Sequence, residues 1–127
     1  MQESPLPGNP LKTIMLVEDE PAIRRLLGTA LRRSGYTVLE AASGQEAIDS
    51  FETHQNDVSL LITDVRMPHM TGPELIRRLR ASRPDLKVLC ISGCVSSVPV
   101  EIERDVAVLQ KPFSRQELIA KVDRLVA

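Results

Sequence analysis

A single parallel α/β sheet follows from three features of the sequence. Short apolar runs alternate five times with segments of helical period. The first, third and fourth runs are almost continuously apolar, and the connections between elements are short. Strands apolar at every position are buried on both faces, as in a parallel sheet covered by helices on both sides. The expected fold is a doubly wound (βα)5 α/β sheet forming one domain over residues 13–127. Residues 1–12 hold Pro5, Pro7, Gly8 and Pro10, which suit neither helix nor central strand, and read as a flexible N-terminal extension.

The first strand is placed over 13–17. Pro21 then fits the opening turn of a helix, where its missing N–H costs nothing. Ile23, Leu26, Leu27, Ala30 and Leu31 form that helix's apolar stripe, and Gly35 ends it. A strand over 36–40 is followed by Ser43-x-x-Glu46, which has the form of a reciprocal capping box. The third strand, 58–63, leads to a second such signature, Thr71-x-x-Glu74. After the fourth strand, 86–91, the crossover contains Pro99 and several β-branched residues, so a short or irregular fourth helix is expected there. A strand over 106–109 and the box Ser114-x-x-Glu117 precede the last helix, whose stripe is Leu118, Ile119, Val122, Leu125 and Val126.

Composition narrows the function. With 16 Lys+Arg against 17 Asp+Glu, the formal charge is −1, which disfavours a polyanion binder acting through bulk charge. Tyr36, Phe51 and Phe113 are the only aromatics, too few for a base-stacking platform, so no direct nucleic-acid contact is expected. No apolar run is long enough to span a bilayer and no signal-peptide pattern opens the chain, so a cytoplasmic protein without membrane association is expected. Cys90 and Cys94 have neither redox nor zinc-site spacing; a buried strand thiol and a loop thiol at the mouth of the site are expected. His54 and His69 have no sequence partner and read as solvated. The arginines at 24, 25, 32, 33, 77, 78, 80 and 83 read as solvated basic helix faces.

Ligands of an open parallel sheet bind beyond the carboxyl ends of its strands. Those ends carry Glu18, Asp19 and Glu20 after the first strand, Asp64 after the third, Ser92 after the fourth and Lys111 after the fifth. The second strand runs into Ala41 and Ala42, outside the site. Two carboxylates about 4 Å apart repel by roughly 4 kcal/mol at an effective dielectric near 20. Their crowding calls for a lysine, a proton or a cation, and an all-oxygen donor set suits Mg²⁺ or Mn²⁺ beside phosphate. A carboxylate flanked by a metal, a hydroxyl and an ammonium is equipped for phosphoryl transfer, with Asp64 the best candidate nucleophile.

The stretches Ile14-Met15-Leu16-Val17-Glu18-Asp19-Glu20-Pro21, Ile62-Thr63-Asp64-Val65-Arg66-Met67-Pro68, Ile91-Ser92-Gly93 and Lys111-Pro112-Phe113, in that order, resemble bacterial two-component response regulator receiver domains. The resemblance spans residues 12 to 127. Ser92-Gly93 and the 109–114 segment are similar to receivers attached to hybrid sensor histidine kinases. It implies a flavodoxin-like fold with strand order 2-1-3-4-5. It also implies a phosphorelay role: Asp64 takes a phosphoryl group from a phosphohistidine on a sensor histidine kinase or phosphotransfer domain, and a surface for a downstream protein partner switches in response. Such a domain assists its own phosphorylation and dephosphorylation without being an enzyme in the ordinary sense. The implied Mg²⁺ (or Mn²⁺) ligands are Glu18, Asp19, Asp64 and the Arg66 carbonyl. Ser92 and Lys111 would stabilise the phosphoryl group, Lys111–Pro112 is a candidate cis bond, and the first helix would help dock the kinase.

Three departures concern output. Val108 stands where receivers usually carry a switching Tyr or Phe, the 92–111 segment is short and contains Pro99, and Thr71 replaces an acidic or amide cap. With no effector segment visible, output is expected through another protein. The alternative is a degenerate receiver that binds partners without phosphorylation. A flavodoxin-type electron carrier is disfavoured because Glu18, Asp19 and Glu20 would repel a flavin phosphate. An aspartate-nucleophile phosphatase would need an acid where Arg66 stands.

Overall fold

The computed structural model describes residues 12–93 and 106–127. Its elements are β1 (Thr13–Val17), α1 (Pro21–Arg33), β2 (Thr37–Ala41), α2 (Gly44–His54), β3 (Val58–Asp64), α3 (Gly72–Ser82), β4 (Lys87–Ser92), β5 (Ala107–Gln110) and α4 (Arg115–Val126). All five strands are parallel, in the order β2-β1-β3-β4-β5. The doubly wound reading with order 2-1-3-4-5 therefore holds. The short helix expected after Pro99, Cys94 and nearly all of the N-terminal extension lie outside the described residues.

Strand alternation divides the core. Ile14, Leu16, Leu60, Ile62, Leu89 and Ile91 face α1 and α4, where Leu27, Leu31, Leu118 and Val122 cover them. Met15, Val17, Leu61, Val88 and Cys90 face the other way, beneath Phe51 of α2 and Leu75, Ile76 and Leu79 of α3. Each fully buried Leu or Ile contributes about 1.5–3 kcal/mol, so β1, β3 and β4 anchor the fold. The outer strands β2 and β5 are only partly covered, and their runs are less uniformly apolar.

Helix ends follow the sequence with two corrections. At α4 the box is reciprocal: Glu117 N–H donates to Ser114 Oγ (3.0 Å) and Ser114 N–H to Glu117 Oε1 (2.7 Å). At α2 and α3 only half of each expected box forms. Glu46 instead accepts from Ala42 N–H (2.9 Å), and Glu74 pairs with Arg78 one turn on (3.4 Å), because each side chain finds another donor in reach. Gly35 closes α1 with φ 99°, while its N–H and that of Tyr36 return to Arg32 and Leu31 carbonyls, a Schellman ending. Leu26 does not join the buried stripe. It is 68% exposed, because α1 turns Leu27, Ala30 and Leu31 inward and leaves Leu26 on its flank. There it borders a groove of about 700 Å³ with Ile23, Phe113 and Lys111.

Four of the arginines read as solvated are engaged with the protein. Arg80 donates to the Leu86 carbonyl, Arg83 to those of Gln55 and Val58, Arg24 to that of Glu18, and Arg32 pairs with Glu40. The side chains of Arg24, Arg80 and Arg83 fold back to satisfy carbonyls at element ends, while Arg32 stays largely exposed and pairs with a carboxylate, contacts that helical spacing alone does not reveal.

The start of α3 is fixed against the end of β3. Gly72 N–H donates to the Val65 carbonyl (2.9 Å), and a Cβ at position 72 would lie 2.2 Å from the Asp64 carbonyl oxygen. Replacing Gly72 by Ala must push α3 away from β3, so urea unfolding is expected to show a loss of about 1–3 kcal/mol. An unchanged unfolding midpoint would show that this junction has slack.

Candidate functional site

Parallel ladders continue past the ends of the strands and so fix the residues that follow. Glu18 N–H donates to the Ala41 carbonyl (3.1 Å), Val65 N–H to that of Ile91 (3.2 Å), and Lys111 N–H to that of Ser92 (2.8 Å). Val17 stands opposite Thr63 and Asp64 opposite Ile91. Glu18 and Asp64 therefore emerge side by side, with Ser92 and Lys111 on the neighbouring strand ends. Thr63, wholly buried, donates its hydroxyl to the Asp64 carbonyl (2.9 Å), holding the peptide beneath the acid.

One carboxylate oxygen from each of Glu18, Asp19 and Asp64 lies within 4.8 Å of the others. Glu18 and Asp64 are buried and Asp19 is exposed, so one side of the cluster opens to solvent. Lys111 Nζ lies 3.5 Å from Asp64 Oδ1. Asp64, Ser92, Gly93, Arg66 and Lys111 line a cavity of about 300 Å³ beside the acids. The sheet thus brings together Glu18, Asp19, Asp64, Arg66, Ser92 and Lys111. Val108 lies two register steps below Ser92, opposite Cys90 on the α2–α3 side, and adds no polar group. The Lys111–Pro112 bond is cis.

Glu18 carries the strain of this arrangement. Its Oε2 accepts from Glu20 N–H (3.0 Å), but its Oε1 is the one buried side-chain oxygen without a hydrogen-bond partner among the described residues. Burial, then the hydrogen bond and repulsion it shares with Asp64, push its pKa up to about 8, against the pull of Glu20 N–H and Lys111. As a carboxylate the oxygen is orphaned; protonated, it has a donor for Asp64. A hard divalent cation accepting oxygen ligands would relieve both the orphaned atom and the like-charge contact, so the residues present fit such an ion. The Cys90 thiol is pushed up to about 11, chiefly by burial, which leaves it unreactive.

Some of the site was not visible in the sequence. The Arg24 guanidinium donates to the Glu18 carbonyl (2.8 Å), and Gly72 lies directly against the Asp64 peptide. A glycine inside the α1 pattern (Gly28) and one opening α3 were the available signals, and neither names its contact. His69, read as a solvated loop residue, is exposed with φ 69°, in the tight loop after Asp64.

Residues 14–123 match the family described as the response regulator receiver domain. The chain is 39% identical over 117 residues to the sensor kinase CckA of Brucella abortus, covering 90% of this chain but 12% of that kinase. It is 35% identical over 119 residues to the response regulator receiver protein CpdR of the same organism, covering 91% of this chain and 98% of CpdR. Among solved structures, the response regulator protein TrrA of Thermotoga maritima, crystallised with Mg²⁺-BeF, superposes with a TM-score of 0.80 at 30% identity. That match covers 90% of this chain and 98% of TrrA. No helix among the described residues is long and apolar enough to cross a membrane.

The raised Glu18 pKa sets a pH dependence for the metal-free protein. Between the ordinary carboxylate value of 4.5 and about 8 the folded state holds a proton that the unfolded state has lost. The stability this proton confers is complete below that ordinary value and is gone above about 8. Urea unfolding in chelator should therefore show stability falling as pH rises from 5 to 8, and Glu18→Gln should flatten that fall. A profile identical in the two proteins would remove Glu18 as its source.

Proposed function

This chain belongs to the response regulator receiver domain family, and we propose that it accepts a phosphoryl group on Asp64 from a phosphohistidine of a sensor histidine kinase or phosphotransfer domain. The observation that carries the reading is the juxtaposition of Asp64 with Lys111, 3.5 Å apart, at the edge of the acid cluster. In the transfer an Asp64 carboxylate oxygen attacks phosphorus, the nitrogen–phosphorus bond breaks, and the imidazole leaves with that bond's electrons.

Glu18, Asp19, Asp64 and the Arg66 carbonyl would hold Mg²⁺, or Mn²⁺ in its place. When bound, the ion neutralises charge on the acids and on the incoming phosphoryl oxygens. The residues of the chain do the rest. Lys111 holds its ammonium at Asp64 and meets charge developing on a phosphoryl oxygen. Ser92, which lines the same cavity, supplies a hydroxyl to a second oxygen. Burial of Asp64 keeps the dielectric low, which strengthens each of these interactions.

Residues 13–127 act as one receiver unit in this reading, a phospho-acceptor signalling domain and not an enzyme with a separate substrate. The flank of α1, with exposed Leu26 above the groove it shares with Phe113, is the face on which the family resemblance puts the kinase partner. Output passes to a downstream protein without a switching ring, since the ring's position holds Val108, half-buried against the α2–α3 core.

Incubation with acetyl phosphate and Mg²⁺ should give a hydroxylamine-sensitive acyl phosphate on the unaltered protein and none on Asp64→Asn. Lys111→Ala should slow labelling by roughly 10²–10³-fold, the usual effect of removing a preorganised charge. Equal labelling of Asp64→Asn would assign the acceptor elsewhere. Measurable Mg²⁺ binding with no labelling would favour the phosphorylation-independent module.

A further inference from the structure

We infer that Arg24, held by Glu40 across a gap left by Gly28, is a positioning residue for the Glu18–Asp19 turn. The inference rests on the metal-binding reading above and concerns residues outside the acid cluster itself.

Three observations converge on Arg24. Its guanidinium donates to the Glu18 carbonyl at 2.8 Å, gripping the backbone between the two acids. Its Nε lies 3.7 Å from Glu40 Oε1, while Arg32 binds the other oxygen of the same carboxylate at 2.8 Å. Glu40 thus reaches from β2 across α1 and fixes the Arg24 fork from behind. Finally, the three atoms nearest to a Cβ built on Gly28 all belong to Glu40 or Arg32, the closest being Glu40 Oε2 at 2.5 Å.

Glycine inside a helix lowers its stability, and partly exposed ion pairs return little. A device that costs helix propensity and yields little stability is better explained by what it orients. The Glu18 side chain has one oxygen held by Glu20 N–H of the same turn and the other without a partner among the described residues, so the turn's backbone sets where the acid lies. Arg24 supplies that hold with a planar fork that can serve the carbonyl and Glu40 together, which the single ammonium of a lysine does less well. Groups that orient metal ligands typically alter affinity by 10–100-fold when removed.

The test is isothermal titration with Mg²⁺ alone, paired with thermal unfolding of each metal-free protein. Arg24→Met should weaken Mg²⁺ binding on the order of tenfold, and Arg24→Lys by less. Gly28→Ala should also weaken it, by displacing Glu40, while leaving the melting temperature equal or higher because alanine is the better helix former. Glu40→Gln combined with Arg24→Met should be no worse than Arg24→Met alone, since both break one chain of contacts. If the unaltered protein binds Mg²⁺ and both Gly28→Ala and Arg24→Met bind it equally well, the inference is overturned and the metal reading stands. If the unaltered protein binds no Mg²⁺, both fall together. A purely structural Arg24 would lower the melting temperature and leave the Mg²⁺ affinity of the folded protein unchanged.

Discussion

The structure depends on a like-charge contact that the sheet imposes. Parallel pairing of β1 with β3 brings Glu18 beside Asp64, and burial removes the water that would screen them. Neither acid can move away, because each belongs to a strand whose ladder hydrogen bonds run on past its end. The repulsion must then be met by something brought to the site: the Lys111 ammonium, a proton on Glu18, or a cation. This is stored electrostatic tension, and it makes the site responsive. A group that adds or removes charge at Asp64 changes the balance for every neighbour at once.

The scaffold converts that local balance into geometry. Thr63 grips the Asp64 peptide from below, and Gly72 brings the start of α3 against its carbonyl. A shift of the Asp64 backbone therefore presses on α3 directly, with no side chain between them to absorb it. On the other flank the Lys111 N–H donates to the Ser92 carbonyl, which joins the Lys111 backbone to the end of β4. Val108, half-buried, packs against the α2–α3 side of the core.

Most of the fold was legible because burial wrote it into the sequence. β1, β3 and β4 are apolar at nearly every position since both of their faces are covered, and Pro21, Gly35 and the Ser114–Glu117 pair mark helix ends through local backbone chemistry. The residues of the candidate site could be grouped from the sequence because an open parallel sheet gathers its strand ends in one place. Side-chain choices among competing partners were not legible. Glu46 and Glu74 pair with other donors than their expected capping partners, and Arg24, Arg80 and Arg83 fold back onto the protein where periodicity suggested solvent. Leu26 fell within the apolar stripe by spacing, yet only the packed helix shows which flank stays open. Such contacts join residues distant in sequence, and a pattern read along one element carries no record of them.

Our proposal makes one particular carboxylate, Asp64, the metal-dependent phosphoryl acceptor at these converging strand ends. Reductive trapping tests it most directly: after exposure to a phosphoryl donor, borohydride converts an aspartyl phosphate to homoserine, and peptide mass spectrometry locates the change. Homoserine is expected at position 64 when Mg²⁺ is present and none in chelator. Homoserine at position 19, or conversion at 64 that ignores the metal, would contradict it.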